Sequence, residues 1–314
     1  MQTRVLDGHG GIGAAVECLR GGDVVALPTE TVYGLAGNAM DLQAVARIFE
    51  AKNRPHFDPL IVHVANFAML ESVAVTGDPL VARLAEKYWP GPLTILLPKL
   101  ESISDLVTSG SPLVAVRMPA HPTFRAVLEA FGQPLAAPSA NPFGQISPTE
   151  AQHVLDGLGG RIPLILDSGK CQHGLESTIV YPVEGVLHIL RDGPISVEEL
   201  SKMAPVKHSQ NPAAAPGQLA SHYAPRKPLV LVDSAESIET RMGNGFLAFS
   251  STPTGFTRLE TLSATGNFVE AAANLFAALH RLDAAPISTI YAEKIPLEGL
   301  GRAMMDRLTR ASAT

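Results

Sequence analysis

Val24 to Val64 reads VVALPTETVYGLAGNAMDLQAVARIFEAKNRPHFDPLIVHV, and this stretch decides the fold. VVALP is a short apolar run rich in β-formers and closed by Pro28, which predicts a buried strand. Asp41 is placed to cap a helix in which Leu42, Val45, Ile48 and Phe49 recur at helical spacing and bury one face. The helix must end before Pro55, in a loop carrying Lys52 and Arg54. Leu60 to Val64 is the next strand. Thr29, Glu30, Thr31 and Tyr33 leave the first strand, and His63 interrupts the second. An apolar frame that delivers hydroxyls, an imidazole and cations to one edge predicts a site for a small anion with a polar end.

The chain around it has 314 residues, 46% of them hydrophobic, enough to bury a large core and to form two domains. Charged residues make up 17%, which excludes a disordered chain. The net charge of −6 excludes a generally basic nucleic-acid binder, so any RNA contact must be a local patch. Cys18 and Cys171 are the only cysteines. Two cysteines form neither a disulfide framework nor a zinc site, and they point to a reducing compartment. No run approaches the roughly 20 apolar residues of a membrane helix, and the first residues lack a signal-type apolar core. A cytoplasmic enzyme with no membrane partner is the expectation.

Gly8 to Gly13, GHGGIG, formally matches the dinucleotide fingerprint, and Glu30 lies near the distance expected for a ribose-binding acid. Only Arg4-Val5-Leu6 precedes it, where a true fingerprint follows a buried strand, so it reads as an ordinary turn before the helix Ala14 to Arg20. Helices are predicted over 66–75, 78–88, 123–131 and 149–158, and strands over 94–97, 113–118, 163–167, 178–181 and 186–190. In LVAVRM, Leu113, Ala115 and Arg117 share one face, and an arginine at the end of a buried strand needs an anionic partner. Ser139, Asn141 and Ser147 stand in a loop of small residues that lets a ligand approach the backbone. Glu176 and Ser177 sit at the mouth of one strand and Arg191 at the end of another.

Residues 205–228 are rich in Pro and Ala without apolar periodicity and read as a linker, broken only by Ser221-His222-Tyr223-Ala224-Pro225. From Leu229, strand VLVD, helix SAESIETRM, strand FLAFS, a less regular stretch, helix 268–281, strand TIYAE and helix 301–311 predict a small three-layer α/β domain. It carries no evident nucleophile or phosphate loop. The expected organisation is 1–205 catalytic domain, 206–228 linker and 229–314 C-terminal domain.

Thr31, His63, Arg117, Ser139, Ser177 and Arg191 all fall near strand ends, with Lys52 and Arg54 in a neighbouring loop. Strand ends line the ligand crevice of open α/β sheets. Four cations in one cleft suit a triphosphate plus a carboxylate. There is no G-x-x-x-x-G-K-[ST], G-x-S-x-G or H-E-x-x-H, so the site is built for positioning and charge neutralisation rather than covalent catalysis.

PTETVYGL, Lys52-Asn53-Arg54, PLIVHV, VAVRMP, APSAN, GLESTIV and LRDG, in this order, resemble the YrdC-like family, and SHYAP and GLGRAMMDRL resemble its long, two-domain form. The resemblance is dense from about 22 to 195 and thinner after 229. It implies a threonylcarbamoyl-AMP synthase, joining L-threonine, bicarbonate and ATP into threonylcarbamoyl-adenylate and pyrophosphate, the first step towards the t6A modification of tRNA. It implies a twisted mixed α/β catalytic domain and a small Rossmann-like domain. By position, Thr31, His63, Arg117 and Ser177 match its threonine site. Lys52, Arg54, Asp58, Ser139, Asn141, Ser147, Arg191 and Tyr223 match its ATP side, with Lys52 and Arg54 as the catalytic cations. Mg2+ is expected with ATP, bound through ligands the sequence does not identify. tRNA and a downstream threonylcarbamoyl-transferase are the further expected partners. Pro142 and Gln218 depart from the family pattern, which favours a basic or polar residue and Met there. The competing expectation is a double-stranded RNA or tRNA binding module without chemistry.

Overall fold

The computed structural model describes residues 1–209 and 222–313. Gln218 and Ser221 lie outside the described residues. The chain opens with β1 (Arg4–Asp7), α1 (Ile12–Arg20), β2 (Val25–Leu27), β3 (Gly34–Asn38), α2 (Leu42–Lys52), β4 (Ile61–His63), α3 (Phe67–Glu71) and α4 (Pro79–Tyr88). It continues with β5 (Leu93–Pro98), α5 (Asp105–Thr108), β6 (Leu113–Arg117), α6 (Pro122–Phe131), β7 (Leu135–Ala136), α7 (Ala151–Leu158) and β8 (Leu164–Asp167). Then come β9 (Thr178–Val183), β10 (Val186–Arg191), α8 (Val197–Leu200) and β11 (Val206–His208). The last part holds β12 (Leu229–Val232), β13 (Gly245–Ala248), β14 (Arg258–Thr261), α9 (Phe268–Ala284), β15 (Ile290–Glu293) and α10 (Gly301–Ser312).

Eleven strands form one mixed sheet in the order β1-β8-β2-β3-β7-β4-β6-β5-β9-β10-β11. Successive residues of the opening strand face opposite sides. Ala26 joins the apolar cluster that holds Val45, Ile48 and Phe49, whereas Val25 and Leu27 join the one that holds Leu19 and Phe124. Both faces are covered, which is why VVALP is apolar throughout rather than alternating. The Asp41 side chain accepts the Gln43 N–H, as its capping position requires, and α2 ends at Asn53 in the left-handed region, φ 51°. Leu42, expected on the buried face, is instead exposed in the first turn.

A smaller apolar group, Ile61, Leu96, Ala115, Ile179 and Leu190, sits where β4, β6, β5, β9 and β10 meet. By alternation His63 follows Ile61 and Arg117 follows Ala115 on the same face, and the two are register partners. Apolar strand bodies thus carry polar ends to one place.

The second sheet is entirely parallel, in the order β12-β15-β13-β14. Helices α9 and α10 cover one face, packing Leu275, Leu279, Met304 and Leu308 with Leu247 and Ile290. Ala235, Ile238 and Phe256 close the other face over Phe246 and Ala248. The helix expected over SAESIETRM is only the short 3-10 turn Ala235–Ser237. Residues 206–208, expected within the linker, pair with β10 as the edge strand β11. Among the described residues no helix is long and apolar enough to cross a membrane.

Candidate active site

The turn after β2 is built by one hydroxyl. Thr29 Oγ1 accepts the N–H groups of Thr31 (3.0 Å) and Val32 (3.1 Å) and donates to the Val32 carbonyl at 2.7 Å. The hydroxyls of Thr29 and Thr31 also meet at 2.7 Å. Thr31 Oγ1 accepts from Arg117 Nη1 at 2.8 Å. Arg117 also donates through Nη2 to Glu30 at 2.6 Å and through Nε to the Gly91 carbonyl at 3.2 Å.

Glu30 is therefore the anionic partner that Arg117 requires, and it takes no part in any dinucleotide fingerprint. Its second oxygen accepts the Ala120 N–H at 3.1 Å. Burial pushes the Glu30 carboxyl up, but the charge and hydrogen bond of Arg117 outweigh it and hold the carboxyl below its ordinary range. GHGGIG does link a strand to a helix. That strand is the mostly exposed sheet edge β1, and Gly11 is required there by packing, since a Cβ would lie 2.4 Å from Leu166.

His63 is buried at the end of β4 with its ring 4.9 Å from that of Phe124, and its Nδ1 has no partner among the described residues. Burial, then the nearby Arg117 charge, pushes its pKa down to about 3. At neutral pH it is an uncharged imidazole that can orient a ligand but is far too weakly basic to carry protons.

Arg191 reaches the same cavity because the β9–β10 register shifts between Ile189 and Arg191, an irregularity that re-aims the strand end. Its Nε donates to the Ser177 carbonyl and its Nη2 to the Ser177 hydroxyl, both at 3.0 Å. The Ser177 hydroxyl also meets Thr94 Oγ1 at 2.7 Å. Arg54 donates to the carbonyls of Asp58 (3.0 Å) and Pro59 (2.8 Å), pairs with the Asp58 carboxylate at 2.8 Å and stands over the Phe143 ring. Tyr223 is buried at φ 64° between the rings of His222 and Phe276. Its hydroxyl has no partner among the described residues.

One cavity is lined by Thr31, Arg54, His63, Arg117, Ser139, Ser177, Arg191 and Tyr223, eight of the residues singled out in the sequence. Thr29, Gly34, Glu176 and His222 also line it. The free space at its centre is about 50 Å3, room for a few waters.

Four expected residues stand behind the wall. Lys52 is fully buried and donates to the carbonyls of Ser139, at 2.5 Å, and Asn141. It does not line the cavity, and burial followed by the Arg54 charge pushes its amine well below the ordinary lysine range. These contacts tie Lys52 to the 139–141 loop. The Asn141 amide donates to the carbonyls of Pro142 and Gln145, both at 2.9 Å. The Ser147 hydroxyl donates to Glu176 at 2.5 Å, and Asp58 holds Arg54.

Sequence reasoning left Glu176 without a partner and did not single out Arg307, which bonds it at 2.9 Å across 131 residues. Its signal in the sequence was the stretch GLGRAMMDRL, which places an arginine on the final helix. Among the described residues no group of three or more His, Cys, Asp or Glu side chains could hold a metal ion.

The fold and site define an α/β protein with an arginine-lined cleft at its strand ends. The family described as Telomere recombination, of Sua5, YciO and YrdC type, matches residues 17–193, and that described as Threonylcarbamoyl-AMP synthase, C-terminal domain, matches 195–313. The chain belongs to this family, in its long two-domain form. It is 40% identical to a Threonylcarbamoyl-AMP synthase of Pyrococcus abyssi, over 94% of this chain and 92% of that protein. It is 38% identical to one of Bacillus subtilis, over 96% of this chain and 92% of that protein. The crystal structure of P. abyssi Sua5 complexed with L-threonine superposes with a TM-score of 0.90 at 36% identity, covering 99% of this chain and 98% of that one.

Proposed function

We infer that the protein is a threonylcarbamoyl-AMP synthase, using L-threonine, bicarbonate and ATP. The observation that carries this reading is the convergence of Arg54, Arg117 and Arg191 with the hydroxyls of Thr31, Ser139 and Ser177 on one cavity, in a chain similar along its whole length to proteins of that name.

Arg117 uses three of its five N–H groups on Gly91, Thr31 and Glu30, which fixes the guanidinium plane and leaves two for a substrate carboxylate. Neutral His63 and the hydroxyls of Thr31 and Ser177 orient the rest of the amino acid. The threonine amine, once deprotonated, attacks bicarbonate with loss of water, or CO2 with loss of a proton, to form a carbamate, whose oxygen attacks the α-phosphorus as pyrophosphate leaves. Arg54 and Arg191, held by Asp58 and Ser177, stabilise the charge that moves onto the phosphates. Mg2+ would be carried by phosphate oxygens and water and would supply further charge neutralisation there. Tyr223 and His222 line the cavity, and Tyr223 would stand beside the nucleotide. The product, a mixed anhydride, would be consumed by a transferase acting on tRNA.

A binding module without chemistry would need exposed cations. The three cavity arginines are 4–7% exposed, beyond the reach of an RNA backbone. Pyrophosphate release from ATP and bicarbonate, with each amino acid supplied in turn, tests the assignment. Release with threonine is expected, and release independent of any amino acid would overturn it.

A further inference from the structure

One polar side chain of the C-terminal domain is bonded to the cavity wall, beside the apolar contacts of Phe276 with Tyr223 and of α9 and α10 with Val32. Arg307, on α10, has no solvent exposure. Its Nη1 bonds its neighbour Asp306 at 2.8 Å, but its other two bonds cross to the catalytic domain. Nε donates to Glu176 at 2.9 Å and Nη2 to the Asp192 carbonyl at 2.9 Å. The guanidinium carbon lies 5.3 Å from the centre of the Tyr223 ring, within cation–π range. Two of these partners, Glu176 and Tyr223, line the cavity, and Asp192 follows Arg191, which also lines it.

The docking around Arg307 is close. A Cβ on Gly174, which opens the Glu176 loop, would lie 2.5 Å from an α9 carbonyl. Val32, Ile146 and Leu175 share an apolar cluster with α9 and α10. The His222 N–H donates to the Arg310 carbonyl at 3.2 Å. Arg307 therefore sits on a firm support and not on a swinging helix.

Glu176 is a carboxylate in a cavity that otherwise gathers cations. Ser147 satisfies one of its oxygens and Arg307 the other. Without Arg307 the carboxylate would face an incoming polyanion unneutralised in a low-dielectric wall, and the Tyr223 ring would lose the plane behind it.

We propose that Arg307 is a positioning residue through which the C-terminal domain sets the affinity of the cavity for ATP, by neutralising Glu176 and backing Tyr223. The proposal rests on the synthase reading for its substrate. It gives the C-terminal domain a defined part in the reaction, through one fork that spans Glu176, Asp192 and Tyr223. Lysine cannot span them, because an ammonium lacks the planar set of donors.

The test is a comparison of wild type with Arg307→Lys, Arg307→Met and Arg307→Met/Glu176→Gln, each checked for a cooperative melt. KM for ATP is expected to rise about tenfold in Arg307→Lys and up to about 100-fold in Arg307→Met, the scale on which misplaced support residues act. KM for threonine should stay within about twofold. The double variant should recover most of the ATP loss, because it removes the unpaired carboxylate. If Arg307→Met does not fold, Arg307→Lys and the double variant carry the test. An unchanged KM for ATP in folded variants, or equal losses for ATP and threonine, would overturn the proposal. So would an absence of rescue. Calorimetric titration with ATP alone makes the same comparison without turnover. If wild type released no threonine-dependent pyrophosphate, the synthase reading would fall while the order of ATP affinities still decided the role of Arg307.

Discussion

Removal of the Glu30 carboxylate should destabilise the protein by more than the value of its ion pair. Glu30 and Arg117 approach to 2.6 Å with side chains 6% and 4% exposed. Both charges have left water, and their attraction offsets that desolvation only while both are present. Glu30→Ala strands the Arg117 guanidinium beside Thr31 and the Gly91 carbonyl and frees the Ala120 N–H. Breaking a buried pair in this way costs about 3–5 kcal/mol. In a chain of this size that lowers the melting midpoint by roughly 10 °C. Glu30→Ala/Arg117→Met leaves no stranded charge and should recover most of the loss, although neither variant should bind threonine. Thermal melts by circular dichroism at pH 7, with urea midpoints as a second measure, make the comparison. A Glu30→Ala midpoint within about 2 °C of wild type would refute the argument. A double variant less stable than Glu30→Ala would refute it equally, because the stranded charge would then not be the cause.

Lys52→Met should raise KM for ATP and lower stability by about 2–4 kcal/mol, because two carbonyls of the 139–141 loop lose their donor; a stability equal to wild type would show that Lys52 is no brace. Tyr223→Phe should leave the melting midpoint unchanged or slightly raised, since the buried hydroxyl has no partner to lose among the described residues, while turnover falls; unchanged turnover would remove that hydroxyl from the nucleotide site. His63 unfolds to an ordinary value of 6.5 and folds at about 3, so between these limits the unfolded chain binds the extra proton and stability falls as pH falls. The loss is about 2 kcal/mol at pH 5 and should be absent in His63→Asn, as urea midpoints across pH 5–7 would show. Glu30 acts at lower pH: its contribution is complete above its ordinary 4.5 and is lost as pH falls through its lowered folded value, so Glu30→Gln should flatten the acid limb below pH 4.5.

The elements that were legible in the sequence are those with a local physical cause. Asp41 caps because its side chain reaches an N–H two residues on, and Val45, Ile48 and Phe49 are buried because helical spacing puts them on one face. Gly34–Asn38 was missed as a strand because GLAGN has no β-branched residue; neighbours on both sides make it one. Arg258–Thr261 likewise owes its state to pairing with β13. The 234–242 segment has helical composition but forms only one short turn, where it closes the sheet over Phe246.

The site divides in the same way. Strand-end placement brought His63, Arg117, Ser177 and Arg191 to one cavity, since a strand body fixes where its end points. Partnerships were not legible. Glu30 reaches Arg117 across 87 residues and Arg307 reaches Glu176 across 131, and no local pattern encodes such a meeting. Lys52 reads in the sequence as a cation in a loop, whereas it is the last residue of α2 and its contacts are carbonyls.

The central claim is that one cavity joins threonine, bicarbonate and ATP. Wild-type protein incubated with ATP, L-threonine and 13C-bicarbonate, followed by mass spectrometry of the nucleotide fraction, tests it most directly. The account predicts a nucleotide whose mass contains AMP, threonine and one labelled carbonyl, formed only when all three substrates are present. A nucleotide fraction without the label, or label incorporated without threonine, would contradict it.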